Sequence, residues 1–240
     1  MPARRTLLIG SILAATLALA GCAGEPGAPT GASTSTAATT PPPTTIPPTP
    51  EPTAVDPLET VVALVARPTV LELRSADAAV VAEIDYLEEP TEAIATLTSL
   101  FGSDPVDETY AATNHSPGGI LHTWGAFTLD ERHYDEAKRA ENEATDGEFL
   151  PYVAVYFDAA DNGEIALTTV QGYSAGDDWA TVSAAADVTA NPSLCTGPAA
   201  ELADDPGSET QLAVELAHEE GGESVLFISA PVPFYTDGCV

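Results

Sequence analysis

Positive charge is what this chain has least of. Lys and Arg number 7 in 240 residues against 37 Asp and Glu, for a formal net charge of −30. Such a surface repels phosphate backbones and anionic lipid headgroups, which excludes nucleic acid as a partner. The imbalance bears on solubility and association and leaves the fold open. Long apolar runs are missing too. The longest candidate, from Leu7 to Ala20, is about 14 residues, whereas a bilayer-spanning helix needs about 20. Cysteine is sparse and odd in number, with Cys22, Cys195 and Cys239, so at least one stands outside any internal disulfide.

The N-terminus explains the odd cysteine. Arg4 and Arg5 precede the apolar run, which ends in Leu19-Ala20-Gly21-Cys22. This resembles the bacterial lipoprotein signal, with residues 1–21 as signal peptide and small residues before the modified cysteine. The resemblance implies cleavage before Cys22 and lipidation of Cys22; the alternative is an ordinary secretory signal with an incidental cysteine. Two or three acyl chains give stable attachment, at about 0.8 kcal/mol per buried methylene. The expected location is the outer face of the cytoplasmic membrane, lipid-anchored at the cell surface. With Cys22 lipidated, Cys195 and Cys239 remain, and an oxidising compartment favours their pairing over two reduced thiols. Closing that loop would stabilise the fold by about 4 kcal/mol in the chain-entropy picture. Losing Arg4 and Arg5 with the signal leaves 5 basic and 37 acidic groups, a net charge of −32.

Residues 22–57 are almost entirely Thr, Ser, Ala, Gly and Pro, densest in "TTPPPTTIPPTPEPT". That composition cannot bury apolar surface and reads as a disordered or polyproline-like tether, with a reach on the order of 100 Å when extended. Residues 58–240 are long enough for one domain or two small ones.

Within them, "TVLELRSADAAVVAEIDYL" alternates as a β-hairpin, with Leu71, Leu73, Ala82, Ile84 and Tyr86 on the apolar side. "PTEAIATLTSLFG" has helical spacing, Pro90 in the first turn and Gly102 as the stop. Strands are expected at "ILHTWGAFTL", "YVAVYFD" and "EIALTTVQ", the last two joined through Asp161-Asn162-Gly163. The charged stretch holding Arg132, Lys138 and Arg139 reads as a solvated loop or short exposed helix. A second helix begins in "GDDWATVSAAAD" with Asp177 as its cap, and three strands follow, at "GPAAELAD", "TQLAVELA" and "SVLFISAPV".

The expected fold class is therefore α+β, antiparallel sheet with few helices. It reads as two tandem helix-plus-three-strand units, 58–172 and 173–240, preceded by the hairpin. The order of elements is similar to the helix-then-antiparallel-sheet modules of SmpA/OmlA-type envelope lipoproteins and of β-lactamase inhibitor protein. Lipobox and composition together resemble lipoproteins of high-GC Gram-positive bacteria, which implies location and no chemistry.

Gly172-Tyr173-Ser174-Ala175-Gly176 matches the G-x-S-x-G elbow of serine hydrolases, and chain order allows Ser174, then Asp204 or Asp205, then His218. Against this, the chain lacks βαβ alternation, "EIALTTVQ" reads as a one-sided antiparallel strand, and Asp177 and Asp178 would oppose an oxyanion. A Gly-flanked turn is the expected reading. His115, His122 and His133 lie close in sequence but fit no standard metal-ligand spacing. "DAADNGE" fails as a calcium loop because Ala160 and Thr169 occupy its third and twelfth positions. Trp124, Trp179, Tyr152, Tyr156, Phe157 and Phe227 are core candidates, or the lining of a groove.

No catalytic residue, metal or cofactor is expected. The leading function is non-covalent binding in the envelope, to a protein or small ligand. The alternatives are an extracytoplasmic serine hydrolase using Ser174 and His218, and a small solute-binding lipoprotein of a transporter.

Overall fold

Two β-sheets enclose the core. The structure is a computed structural model and describes residues 56–113, 116–144, 150–193, 196–204 and 211–235. All belong to the unit Pro52–Val240. The signal segment, the tether up to residue 55, Cys22, Cys195, Cys239, His115 and Asp205 lie outside the described residues. Among the described residues, no helix is long and apolar enough to cross a membrane.

A short 3-10 turn at Pro57–Thr60, capped by Asp56, opens the folded part. It leads into β1 (Val61–Ala66), a nearly continuous apolar run that alternation rules pass over because Leu64, Val65 and Ala66 are buried in succession. β2 (Val70–Ser75) pairs antiparallel with β1 and with β3 (Val80–Asp85), setting Leu71 opposite Ile84 and Leu73 opposite Ala82. On its other side β1 pairs with β9 (Ile165–Thr169) in parallel, and the two-residue β8 (Asp161–Asn162) closes a sheet of order β3-β2-β1-β9-β8. "EIALTTVQ", expected to run antiparallel, thus has β1 as its long parallel neighbour. The tight turn at Gly163 (φ 71°) joins β8 to β9 rather than linking "YVAVYFD" to "EIALTTVQ", which lie in different sheets.

The second sheet comprises β4 (Val106–Tyr110), β5 (Gly118–Trp124), β6 (Phe127–His133), β7 (Val153–Phe157), β10 (Ala199–Asp204), β11 (Gln211–Ala217) and β12 (Phe227–Phe234). Its order is β10-β11-β12-β7-β6-β5-β4, antiparallel throughout. The single expected strand "ILHTWGAFTL" is in fact two. The chain reverses at Gly125, whose φ of 63° suits glycine, and Trp124 pairs with Phe127. β4 carries almost no apolar side chain and escapes any hydrophobic pattern.

Helix α1 (Pro90–Phe101) starts on a proline and stops where Gly102 turns left-handed, returning its N–H to the Thr98 carbonyl. Ala93 and Leu97 face inward. Phe101 meets Trp124 and Phe127 at centroid distances of 5.7 and 5.5 Å, and the Trp124 indole donates to the Ser103 carbonyl at 2.9 Å. Helix α3 (Trp179–Ser183) is short, and its cap is Asp178, not the expected Asp177. Asp178 accepts from the Thr181 N–H, whereas Asp177 accepts from the Ser174 N–H within the preceding turn.

The charged stretch after β6 forms α2 (Glu136–Ala144), yet two of its three expected solvated cations are not solvated. Arg132 lies on β6, and Arg139 is buried with its guanidinium 3.6 Å from the Tyr152 ring centroid. A planar cation can stack on an aromatic face, which a charge-run rule does not weigh. Arg67 makes a two-point contact with Glu201 of β10 at 2.7 Å and a third bond to Glu72 of β2, tying the sheets together at one end. One hydrophobic cluster runs through both sheets and α1, including Leu64, Leu71, Leu97, Phe127, Val155 and Ile228.

Candidate solvent-side cavity of the seven-stranded sheet

Side chains alternate across a strand, so register assigns every residue of the second sheet to the core face or the solvent face. On β6, Phe127 and Leu129 point into the core, while Thr128, Asp130 and Arg132 point the other way. Asp130 pairs with Leu121 and Ala154, Arg132 with Gly119, and Tyr156 with Thr128 and Ser229. These residues share the outer face. It carries an open cavity of about 640 Å³ whose wall includes Tyr110, Asp130, Arg132, Tyr156, Phe227 and Pro231.

Three features of the sequence shape this face. Gly119, Ala154 and Ser229 place small side chains on the middle of the face, between larger residues of neighbouring strands. Pro231 and Pro233 lack the N–H needed for a ladder, and the pairing of β12 with β7 ends at Ala230. Gly119 lets the Tyr110 ring cross β5. A Cβ there would stand 2.6 Å from the Tyr110 hydroxyl and would strike the Glu131 carbonyl oxygen.

Tyr110 thereby reaches over one strand to donate its hydroxyl to Asp130 at 2.6 Å. The other Asp130 oxygen accepts from Arg132 Nε at 2.9 Å. Asp130 is 5% exposed, and each of its oxygens has a protein donor, as a buried carboxylate requires. Burial works to lower the Arg132 pKa, but the oxygens of Tyr156 and Asp130 outweigh it and hold the guanidinium charged. Burial, then the Asp130 contact, push the Tyr110 phenol well above its ordinary value, so it stays a proton donor. Burial also raises the Tyr156 phenol above its ordinary value. The Tyr156 and Phe227 rings meet edge to face at 6.0 Å. The wall thus combines a neutralised ion pair, an exposed carboxylate at Asp158, phenol hydroxyls and aromatic rings.

No family model, curated protein or solved structure matches this chain. Function rests on the geometry.

The other candidates are placed elsewhere. Ser174 donates its hydroxyl to the Leu167 carbonyl at 2.9 Å, which occupies the proton a general base would remove. His218 stacks on Trp179, with centroids 4.0 Å apart, and Asp204 accepts from Gln211. Among the described residues, no hydrogen bond joins Ser174 to His218. Ser174→Ala should cost about 1 kcal/mol, the net worth of one hydrogen bond. A fluorophosphonate probe is expected to label wild type and Ser174→Ala equally; labelling lost in the variant would restore the nucleophile.

His122 is buried between Asp107 (2.8 Å) and Glu131 (2.9 Å), and His133 contacts the second Glu131 oxygen at 2.6 Å. Burial opposes ionisation of Glu131, but the two imidazoles win and hold its pKa below the usual value. Among the described residues, no group of three or more His, Cys, Asp or Glu could hold a metal ion. The six aromatic candidates divide: Trp124 and Phe157 are core, Tyr152 and Trp179 are partly buried against it, and Tyr156 and Phe227 line the cavity. Tyr110, Asp130 and Arg132 had no local signal in the sequence. Only the i, i+2 placement of Asp130 and Arg132 on a strand, opposite a glycine, could have suggested them.

Proposed function

We propose that this is a cell-envelope protein, lipid-anchored through Cys22 at the outer face of the cytoplasmic membrane, that acts by non-covalent binding. The observation that carries the binding reading is the open cavity of about 640 Å³ on the solvent side of the seven-stranded sheet. That volume falls in the range of ligand pockets, about 300–1,000 Å³. The lipoprotein-like N-terminus supports the anchor, and the tether would hold the folded part clear of the headgroups. The same reading takes 58–172 and 173–240 as successive units, the second closed by a Cys195–Cys239 disulfide. That division rests on chain order alone, α1 preceding β5–β9 and α3 preceding β10–β12; β7 of the first stretch pairs with β12 of the second in one seven-stranded sheet.

Two measurements test this. Cys22→Ala should move the protein from the membrane fraction to the medium, and unchanged partitioning would sink the anchor. A photo-crosslinking side chain at Leu121, on the cavity wall, should form one adduct of defined mass in intact cells. The same probe at Val80, 46% exposed on the other sheet, should not. Equal yields at the two positions would remove the cavity as the binding face.

A further inference from the structure

We propose that the cavity binds a neutral glycan, a short run of pyranose rings lying across Tyr156 and Phe227 with its hydroxyls on Asp130 and Arg132. The proposal rests on the binding reading above and specifies its ligand.

Charge removes the ionic candidates. A chain of net charge −30 repels polyanions at long range. A cationic ligand, drawn in by the same field, would find the Asp130 carboxylate already paired with Arg132 and only the exposed Asp158 left to hold it. Asp130 and Arg132 already neutralise one another, and the one further charged side chain of the wall, Asp158, is solvent-exposed, so the ion pair demands no counter-charge from what it binds.

Hydrogen bonding removes the wholly apolar candidates. Such a ligand would strip water from a carboxylate, a guanidinium and several phenols and return nothing, which costs free energy at each polar group. A sugar hydroxyl both donates and accepts. Asp130 and Arg132 offer an acceptor and a donor side by side, the pattern that adjacent hydroxyls of a pyranose satisfy together. Each Asp130 oxygen has one protein partner in the described contacts, Tyr110 or Arg132, and a carboxylate oxygen can accept about two. The alternating C–H face of the ring then lies on aromatic surface, which Tyr156 and Phe227 provide.

The probes are N,N′,N″-triacetylchitotriose and cellotriose, with trigalacturonate as the anionic control. Each is titrated into the full-length Cys22→Ala protein and followed by calorimetry and saturation-transfer NMR. The neutral trisaccharides should bind saturably, with Kd of about 1 mM or tighter. Affinity should fall at least about tenfold in Phe227→Ala and in Asp130→Asn, with thermal melts showing that both variants fold. Tyr110→Phe, which keeps the ring over Gly119, should give a smaller loss. Co-sedimentation with insoluble chitin or cellulose separates the two sources: binding there as well marks a polymer chain, and binding of the free trisaccharides alone marks a soluble oligosaccharide. Neutral sugars bound with unchanged affinity by both folded variants would overturn the site. Trigalacturonate binding more tightly than the neutral sugars would overturn the charge argument. No saturable sugar binding, with crosslinking from Leu121 intact, would overturn the glycan and leave the binding reading standing. Loss of both would end both.

Discussion

Phe127→Ala should destabilise the folded part by about 3–5 kcal/mol. Phe127 is fully buried and stands at the crossing of three packed groups. Its ring touches Phe101 of α1 at 5.5 Å, Trp124 across the hairpin at 6.1 Å and Phe157 of β7 at 5.8 Å. Truncation loses the transfer free energy of the ring. It also leaves a cavity that cannot collapse, since the hairpin turn at Gly125 and the β6–β7 register hold the surrounding backbone. A domain of this size has a total stability of about 5–15 kcal/mol, so one side chain carries a large share. Urea melts would show a lower midpoint with unchanged slope. A loss below about 1 kcal/mol would mean that α1 and the sheet do not meet at this ring.

Asp130→Ala should cost nearly as much, for the opposite reason. No large apolar surface is lost, but Arg132 keeps its charge in a site where it is 18% exposed and loses the carboxylate that offset burial. Breaking a buried pair from one side costs about 3–5 kcal/mol because the survivor is uncompensated. Tyr110 also loses the acceptor 2.6 Å from its hydroxyl. Asp130→Asn keeps the shape and an acceptor oxygen and should cost less, and the Asp130→Ala, Arg132→Met double variant should recover part of the loss. If Asp130→Ala costs less than about 1 kcal/mol, the pair behaves as an exposed surface contact, and the cavity wall is open to water.

Legibility followed the range of the interaction that decides each feature. Helix α1 was readable because its start at Pro90, its apolar spacing and its stop at Gly102 all act within one or two turns. The pairing face of β2 and β3 was readable from period-two alternation. β1 was not, because Leu64, Val65 and Ala66 are buried in succession and show no alternation, and β4 was not, because an exposed edge strand needs no apolar residue. Trp124-Gly125-Ala126-Phe127 hid a reversal inside an apolar run, where only the positive φ of Gly125 marks it. Neighbouring carboxylates misled the choice of cap: Asp177 and Asp178 are equivalent by type, and geometry gives α3 to Asp178.

Composition and local pattern sufficed for the acidic surface, the mixed α+β class, the predominance of antiparallel strands and α1, since each depends on residues near in sequence or summed over it. Tertiary structure alone decided that β1 and β9 run parallel, that Arg139 is buried against Tyr152, and that Tyr110 crosses Gly119 to meet Asp130. Those contacts join residues between 9 and more than 100 positions apart. Their energies depend on register and burial, which no short window of sequence contains.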